Sequence, residues 1–252
     1  MPAVILAAAL AATAAACSSS SSSSTAAISA TGSNAASSAS PAGTTTVTGA
    51  AATTLITNAI ANTKAAPSIV VVGSGVSTGS SSQQVSFNLT LVQQAGCKGT
   101  IAASQTQTFQ LVETGGYVWL KPSNGYYASL HITKQALALL GDKYIKVPSD
   151  NSQLADLTKL CSFSGLFGEL KTPTGSSYVA TPTTYDGQNA YKVTQTGQAG
   201  YAYITNSSTP MLAKLAEPTS SGGVITFTEY TVPLTITAPS AAESIDGSAL
   251  GL

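Results

Sequence analysis

Arginine is missing from this chain, and charged residues of any kind are scarce. Only 8% of its 252 residues are charged, lysines and acidic residues balance to a net charge of zero, and no charged side chain precedes Lys64. A nucleic-acid interface needs a basic stripe and usually the planar guanidinium fork, so the composition excludes a nucleic-acid-binding protein. The low charge and the abundance of Thr, Ser, Gly and Gln favour an exported, β-rich protein of one domain with extensions.

Residues that carry chemistry are equally sparse. The one histidine, His131, lies in a predicted helix, and there is no Cys-x-x-Cys pair. The Gly-x-Ser-x-Gly match at residues 75–79 leads into a segment that reads as a loop, whereas a nucleophile elbow needs a helix there. The segment Ile69–Gly75 begins like a dinucleotide-binding fingerprint, but no helix is predicted after it and no acidic residue follows about 20 positions later. We therefore predict no enzyme activity, no cofactor and no metal.

The most specific signal surrounds Cys17. An apolar segment of about 15 residues precedes it, small residues stand at Ala14 and Ala16, and the serine run Ser18–Ser24 follows. Such a segment is too short to span a bilayer and has the length of a signal-peptide core. We expect residues 1–16 to be a lipoprotein signal peptide. Cys17 then carries acyl chains that hold the protein to the extracytoplasmic face of the cell membrane. The alternative is a free cysteine in a disordered, Ala-rich N-terminus.

The domain organisation follows from composition. Residues 17–49 contain almost no large apolar side chains after Cys17, so we predict a flexible tether there and a folded domain at 50–252. Two cysteines remain in that domain, Cys97 and Cys161. An even pair in an exported domain predicts a disulfide bond between them.

The apolar pattern predicts an α+β domain with consecutive antiparallel strands. Helices are expected at residues 51–66, 126–140 and 152–170, and Gly115-Gly116 and Asp186-Gly187 mark tight turns. Strands are expected at residues 69–72, 85–91, 99–103, 107–113, 117–121, 144–147, 178–181, 190–196, 201–205, 211–217, 223–230 and 234–237.

One face of the long strands is apolar. Side chains at alternate positions of a strand point to the same side of a sheet, so these residues should share one face. Such a face either packs as ordinary core under the helices or lines a cavity for a hydrophobic ligand, and sequence alone leaves both open. The candidate ligand-binding residues are Val85, Phe87, Leu89, Leu91, Phe109, Leu111, Ile225 and Phe227.

Four segments carry a resemblance to a known family: Gly96–Thr100, Phe109–Val112 with Tyr117–Lys121, Leu140–Pro148, and Val224–Tyr230. Together they resemble actinobacterial lipoproteins related to the mycobacterial lipid carriers of the LppX/LprG type. The resemblance spans roughly residues 50 to 240.

The resemblance implies a strongly curved antiparallel sheet, a half-barrel like that of the lipoprotein carrier LolA, with helices covering its concave side. It also implies a non-catalytic protein that binds or shuttles a lipid or glycolipid in the cell envelope, and we expect a monomer. The alternative is an interaction or sensor module of the same fold, with a filled core and no ligand.

Overall fold

The computed structural model describes residues 43–76, 84–129, 137–138, 140, 142–168, 170, 172–219, 222–230 and 234–250. The predicted signal peptide, Cys17, most of the predicted tether and His131 lie outside the described residues. Within the described part of the chain, no helix has the length and hydropathy needed to cross a membrane.

A single open sheet organises the described residues. It has 13 strands in the order β1-β8-β9-β10-β11-β12-β2-β3-β4-β5-β6-β7-β13, antiparallel throughout except for the β7–β13 pair. The strands are β1 Val47–Thr48, β2 Ser68–Val76, β3 Gln84–Val92, β4 Gly96–Ala102, β5 Thr108–Thr114, β6 Tyr117–Pro122, β7 Tyr144–Pro148, β8 Tyr178–Tyr185, β9 Gln188–Gln195, β10 Tyr201–Thr205, β11 Leu212–Ala216, β12 Gly223–Thr228 and β13 Ser244–Asp246.

Helices pack against one side of this sheet, which we call the inner face. They are α1 Gly49–Ala65, α2 Asn124–Ser129, α3 Ala155–Leu160 and α4 Phe163–Gly168. The described residues also form 3-10 turns at Ser152–Leu154, Ala241–Glu243 and Gly247–Leu250. The main hydrophobic core joins residues of α1 and α4 to residues of β2–β6 and β8–β12. The predicted α+β half-barrel, a curved and unclosed sheet with helices on one side, is confirmed.

Helix α1 shows how the sequence places a helix on the sheet. Its buried positions are Ala52, Ile56, Ala59 and Thr63, spaced by four, three and four residues as a helical face requires. The helix ends before Pro67, because the residue that precedes a proline prefers an extended backbone. Thr63 ties the helix to the sheet: its hydroxyl donates to the Ala59 carbonyl at 2.7 Å and accepts the N–H of the first residue of β11 at 2.9 Å.

Both predicted glycine turns are present. Gly115 and Gly116 have φ of 57° and 80° between β5 and β6, and Asp186 and Gly187 have φ of 50° and 72° between β8 and β9. Two consecutive residues with positive φ are the signature of a type I′ hairpin turn. These turns set the register of the hairpins that they close.

Three predicted elements need correction. The predicted strand at Leu234–Thr237 is irregular backbone. The predicted helix at residues 152–170 is interrupted at Cys161, between α3 and α4. The predicted helix at residues 126–140 begins at Asn124 with α2, and most of its remainder lies outside the described residues. Strands β1 and β13 were not predicted, and β1, which pairs with β8, lies ahead of the predicted domain start at residue 50.

The C-terminal segment crosses to the opposite side of the sheet, the outer face. Ile236, which is 7% exposed, packs there against Val112 and Trp119 as a second small hydrophobic cluster. The chain then adds β13 to the edge strand β7 in parallel. Since β12 lies in the middle of the sheet and β7 lies five strands beyond its neighbour β2, the chain that follows β12 has to cross these strands to reach β7.

Candidate functional site

The inner face presents its apolar side chains in rows that run across the strands. One row passes through Phe227, Val71, Leu89 and Leu111, each directly paired with its neighbour or joined through Gly99. None of these four side chains is more than 3% exposed. We call them the buried row, because helices and neighbouring strands cover them completely.

A second row lies two residues further along each strand, and it is only partly covered. It passes through Ile225, Gly73, Phe87, Ile101 and Phe109 in register. Ile225, Phe87 and Phe109 are half-buried, and we call these three the half-buried row. Tyr126 of α2 packs edge-on against Phe109, with 4.6 Å between the ring centroids.

Gly73 makes room for this row. The ring of Phe87 lies over Gly73 so closely that a Cβ at that position would collide with three of its carbon atoms. A large side chain can therefore cross the strand only where its neighbour has none.

Helix α4 and the disulfide cover the buried row. Phe167 of α4 is 1% exposed and stacks on Phe227 at 5.6 Å between ring centroids, while Phe163 packs on Phe167 at 5.8 Å. Cys161, the first of the two residues between α3 and α4, is bonded to Cys97 of β4, with 5.0 Å between their Cα atoms. The predicted disulfide is thus present, and it fastens the α3–α4 junction to the sheet.

Burial shifts the pKa of three titratable groups near the core. It raises the pKa of the Glu113 carboxyl, which lies directly opposite Cys97 and has one buried oxygen without a hydrogen-bond partner. Burial, followed by the neighbouring Tyr126, raises the pKa of Tyr127. Burial also raises the pKa of Tyr230, whose one hydroxyl proton is shared between the backbone carbonyls of Leu212 and Phe227. In each case desolvation is the largest cause, so packing explains these shifts.

All eight candidate ligand-binding residues lie on the inner face, but their exposure divides them. Five are buried and at most 7% exposed: Val85, Leu89, Leu91, Leu111 and Phe227. The other three form the half-buried row. Their role as ligand contacts stays a prediction. Sequence reasoning missed Ile101, Tyr126, Phe163 and Phe167 as neighbours of this face, although the four-residue spacing of Phe163 and Phe167 is a helical signal.

Comparison with known proteins identifies the fold. The chain matches no protein-family model, and no curated protein matches it by sequence. Among solved structures, LprF from Mycobacterium bovis is similar with a TM-score of 0.52 and 15% identity, over 77% of this chain and all of LprF. The lipoprotein LppX from Mycobacterium tuberculosis matches with a TM-score of 0.46 and 15% identity, over 74% of this chain and 98% of LppX.

A LolA-superfamily protein from Nitrosomonas europaea gives a TM-score of 0.25 and 9% identity, over 75% of this chain and 95% of that protein. At these identities structural similarity establishes the fold and not the activity. The resemblance predicted from sequence is confirmed at that level: the chain has the half-barrel fold of LprF.

Proposed function

We propose that this protein is an exported, lipid-anchored lipoprotein that binds a hydrophobic ligand between the inner face of its sheet and its helices. The observation that carries the proposal is the half-buried row of Ile225, Phe87 and Phe109. These apolar side chains stand beside a fully packed core and keep part of their surface uncovered.

The half-buried row offers what a hydrophobic ligand needs. Ligand sites are mostly apolar, largely preformed, and placed where side chains converge from several elements. Here three strands supply the wall and α2 adds Tyr126 at its border. Each Å² of apolar surface that a ligand covers contributes about 25 cal/mol, so an acyl chain that covers all three side chains binds chiefly through burial. The LprF-like fold supports this placement, since it sets helices against one face of a curved sheet.

The filled core favours the second candidate, an interaction or sensor module without a ligand. Five of the eight predicted contacts, Leu89 and Leu111 among them, are buried by the protein itself. A ligand could reach them only if a helix moved away from the sheet. The two functions therefore differ in whether the half-buried row is a binding wall or simply the rim of the core.

A tryptophan scan of neighbouring positions on β12 separates the two functions. Ile225→Trp places a large ring on the half-buried row, whereas the matched control Thr226→Trp places the same ring on the outer face, because side chains alternate along a strand. Binding is measured by the fluorescence of cis-parinaric acid, and folding by the thermal midpoint of the same samples.

Ligand binding predicts that the parent and Thr226→Trp take up the fatty acid, and that Ile225→Trp loses uptake at least tenfold with its midpoint preserved. If the parent takes up no fatty acid and a lipid extract from the native membrane also fails to bind, the interaction module is the better account.

The anchor is tested separately. Cys17→Ser removes the residue that would carry the acyl chains, and stable anchoring requires more than one such chain. The variant should therefore be released from membranes or remain an unprocessed precursor. Normal processing with unchanged membrane association would contradict the lipoprotein assignment.

A further inference from the structure

Lysines are segregated to one side of the sheet. Strands β2–β12 contain five lysines, and the strand register places all five on the outer face: Lys98, Lys121, Lys146, Lys192 and Lys214. The one acidic residue in these strands, Glu113, points to the inner face beside the disulfide. Since the whole chain is formally neutral, this arrangement is a separation of charge and not a basic composition.

The lysines at one end of the outer face are already compensated. Lys121 forms an ion pair with Asp142 at 2.7 Å. Glu243 and Asp246 of the C-terminal segment lie near Lys121 and Lys146, which contribute to the lowered pKa of these two carboxyls after their hydrogen bonds to serines. In the other half of the sheet, the acidic residues Asp186 and Glu217 come directly after the last residues of β8 and β11, so neither belongs to a strand.

On β8–β11, lysines that form no ion pair within the described part of the chain are combined with aromatic rings. Tyr185 and Tyr203 stack with 4.5 Å between their ring centroids, and Tyr201 packs edge-on against Tyr203 at 5.7 Å. The Lys192 ammonium lies 4.8 Å from the Tyr201 ring centre, and that of Lys214 lies 5.8 Å from the Tyr185 ring centre. We call these five residues the tyrosine–lysine patch.

Exposed apolar side chains continue the patch. Lys214 pairs with Thr226, which pairs with Val72, so the outer surface runs without interruption from β11 to β2. Val72 is 45% exposed and Val224 is 37% exposed, and both line a shallow cavity of about 300 Å³ on this face. The third large hydrophobic residue that is exposed in the described part of the chain, Tyr117, also lies on the outer face.

We propose that the outer face at β8–β12 and β2 docks on the surface of an anionic lipid bilayer. Lysine, tyrosine and exposed valine match the three layers of such a surface: anionic headgroups, the interfacial zone that favours amphipathic rings, and the first methylenes of the acyl chains. The absence of acidic side chains from the strands of this face removes the repulsion that would oppose docking. The proposal does not depend on a ligand at the inner face.

Vesicle binding of the full chain tests the proposal. The variant is Lys192→Gln/Lys214→Gln, and the control is Lys64→Gln/Lys159→Gln, which removes the same charge from α1 and α3 on the opposite side of the sheet. Each is sedimented with vesicles of phosphatidylglycerol and phosphatidylcholine, or of phosphatidylcholine alone. Parent, variant and control all carry Cys17→Ser, so that no acyl chain masks the difference, and all share an N-terminal segment that has no charged side chain before residue 64.

A lysine near an anionic bilayer is worth about a fivefold change in partitioning, so the patch variant should bind anionic vesicles about 30-fold more weakly than the parent. The control should stay within about threefold, and amine acetylation of Lys192 and Lys214 should fall in the presence of anionic vesicles.

Equal weakening of patch variant and control would show that only net charge matters and would overturn the proposal. The proposal would also be overturned if the parent chain bound anionic and neutral vesicles equally. The same holds if it showed no such preference and bound a soluble acidic polymer instead. Thermal midpoints of both variants confirm that folding is intact. Neither outcome bears on fatty-acid uptake at the inner face, so the two proposals fail separately.

Discussion

Gly73 allows the sharpest test of how the inner face is built. In Gly73→Ala the new methyl group meets the Phe87 ring, which must move or push the strands apart. Overpacking of this kind costs about 1–3 kcal/mol, and replacing a strand glycine recovers about 0.5–1 kcal/mol of backbone entropy. We therefore expect the free energy of unfolding to fall by about 1–2 kcal/mol.

Removing the Phe87 ring should turn the destabilising effect of Gly73→Ala into a stabilising one. Phe87→Ala alone should cost about 2 kcal/mol, less than the loss for a fully buried phenylalanine because Phe87 is half-buried. In that background Gly73→Ala meets empty space and should stabilise by about 0.5–1 kcal/mol. The double-mutant cycle then shows a coupling of about 2 kcal/mol between the two positions.

Gly75→Ala is the matched control, on the same strand and face. A Cβ there would lie 3.5 Å from the Gly223 Cα, an ordinary van der Waals contact, so this change should be neutral or stabilising. The assay is urea unfolding followed by the fluorescence of the single tryptophan, with m-values checked for constancy. Additive effects of Gly73→Ala and Phe87→Ala would refute the contact between ring and glycine.

Three further substitutions test how a buried hydrogen bond, a buried carboxyl group and the disulfide bond affect the stability of the fold. Thr63→Val should lower stability by about 1–3 kcal/mol in thermal or urea unfolding, because a buried backbone N–H loses its acceptor; Thr63→Ser should keep most of it. Glu113→Gln removes a carboxyl whose raised pKa favours folding below pH 4.5 and opposes it as pH rises through the folded-state value. The variant should thus gain stability on the parent as the pH rises above 4.5, and a pH-independent difference would contradict this. Replacing Cys97 and Cys161 by Ala opens a loop with a sequence separation of 64 and should cost about 4 kcal/mol in urea unfolding; a loss below about 1 kcal/mol would argue against a stabilising cross-link.

Strands with a strict alternation were predictable because burial on one face dictates their pattern. Val85–Leu91 alternates apolar and polar residues throughout and lies inside β3. By contrast, β1 and β13 have two and three residues, too few for any period to appear. The alternating segment Leu234–Thr237 was predicted as a strand and is irregular, because its one buried residue, Ile236, packs onto the outer face of other strands.

The sequence pattern predicted which residues share the inner face, but it did not predict how exposed each of these side chains is. Alternation placed Leu89 and Phe87 on the same side, as the structure does. That Leu89 is sealed while Phe87 is half open depends on where α4 packs, and this position is set by Phe167 and the disulfide over a long sequence separation. Likewise, the collision between the Phe87 ring and a side chain at Gly73 follows from strand register, which no local pattern encodes.

Native mass spectrometry of the full-length protein, extracted from its own membrane, tests the central claim most directly. Binding of a hydrophobic ligand at the inner face predicts one apolar molecule per chain, which survives gentle ionisation, is displaced by added fatty acid and is missing from Ile225→Trp. A folded parent protein that carries no such molecule, and acquires none when incubated with lipids of that membrane, would contradict the claim.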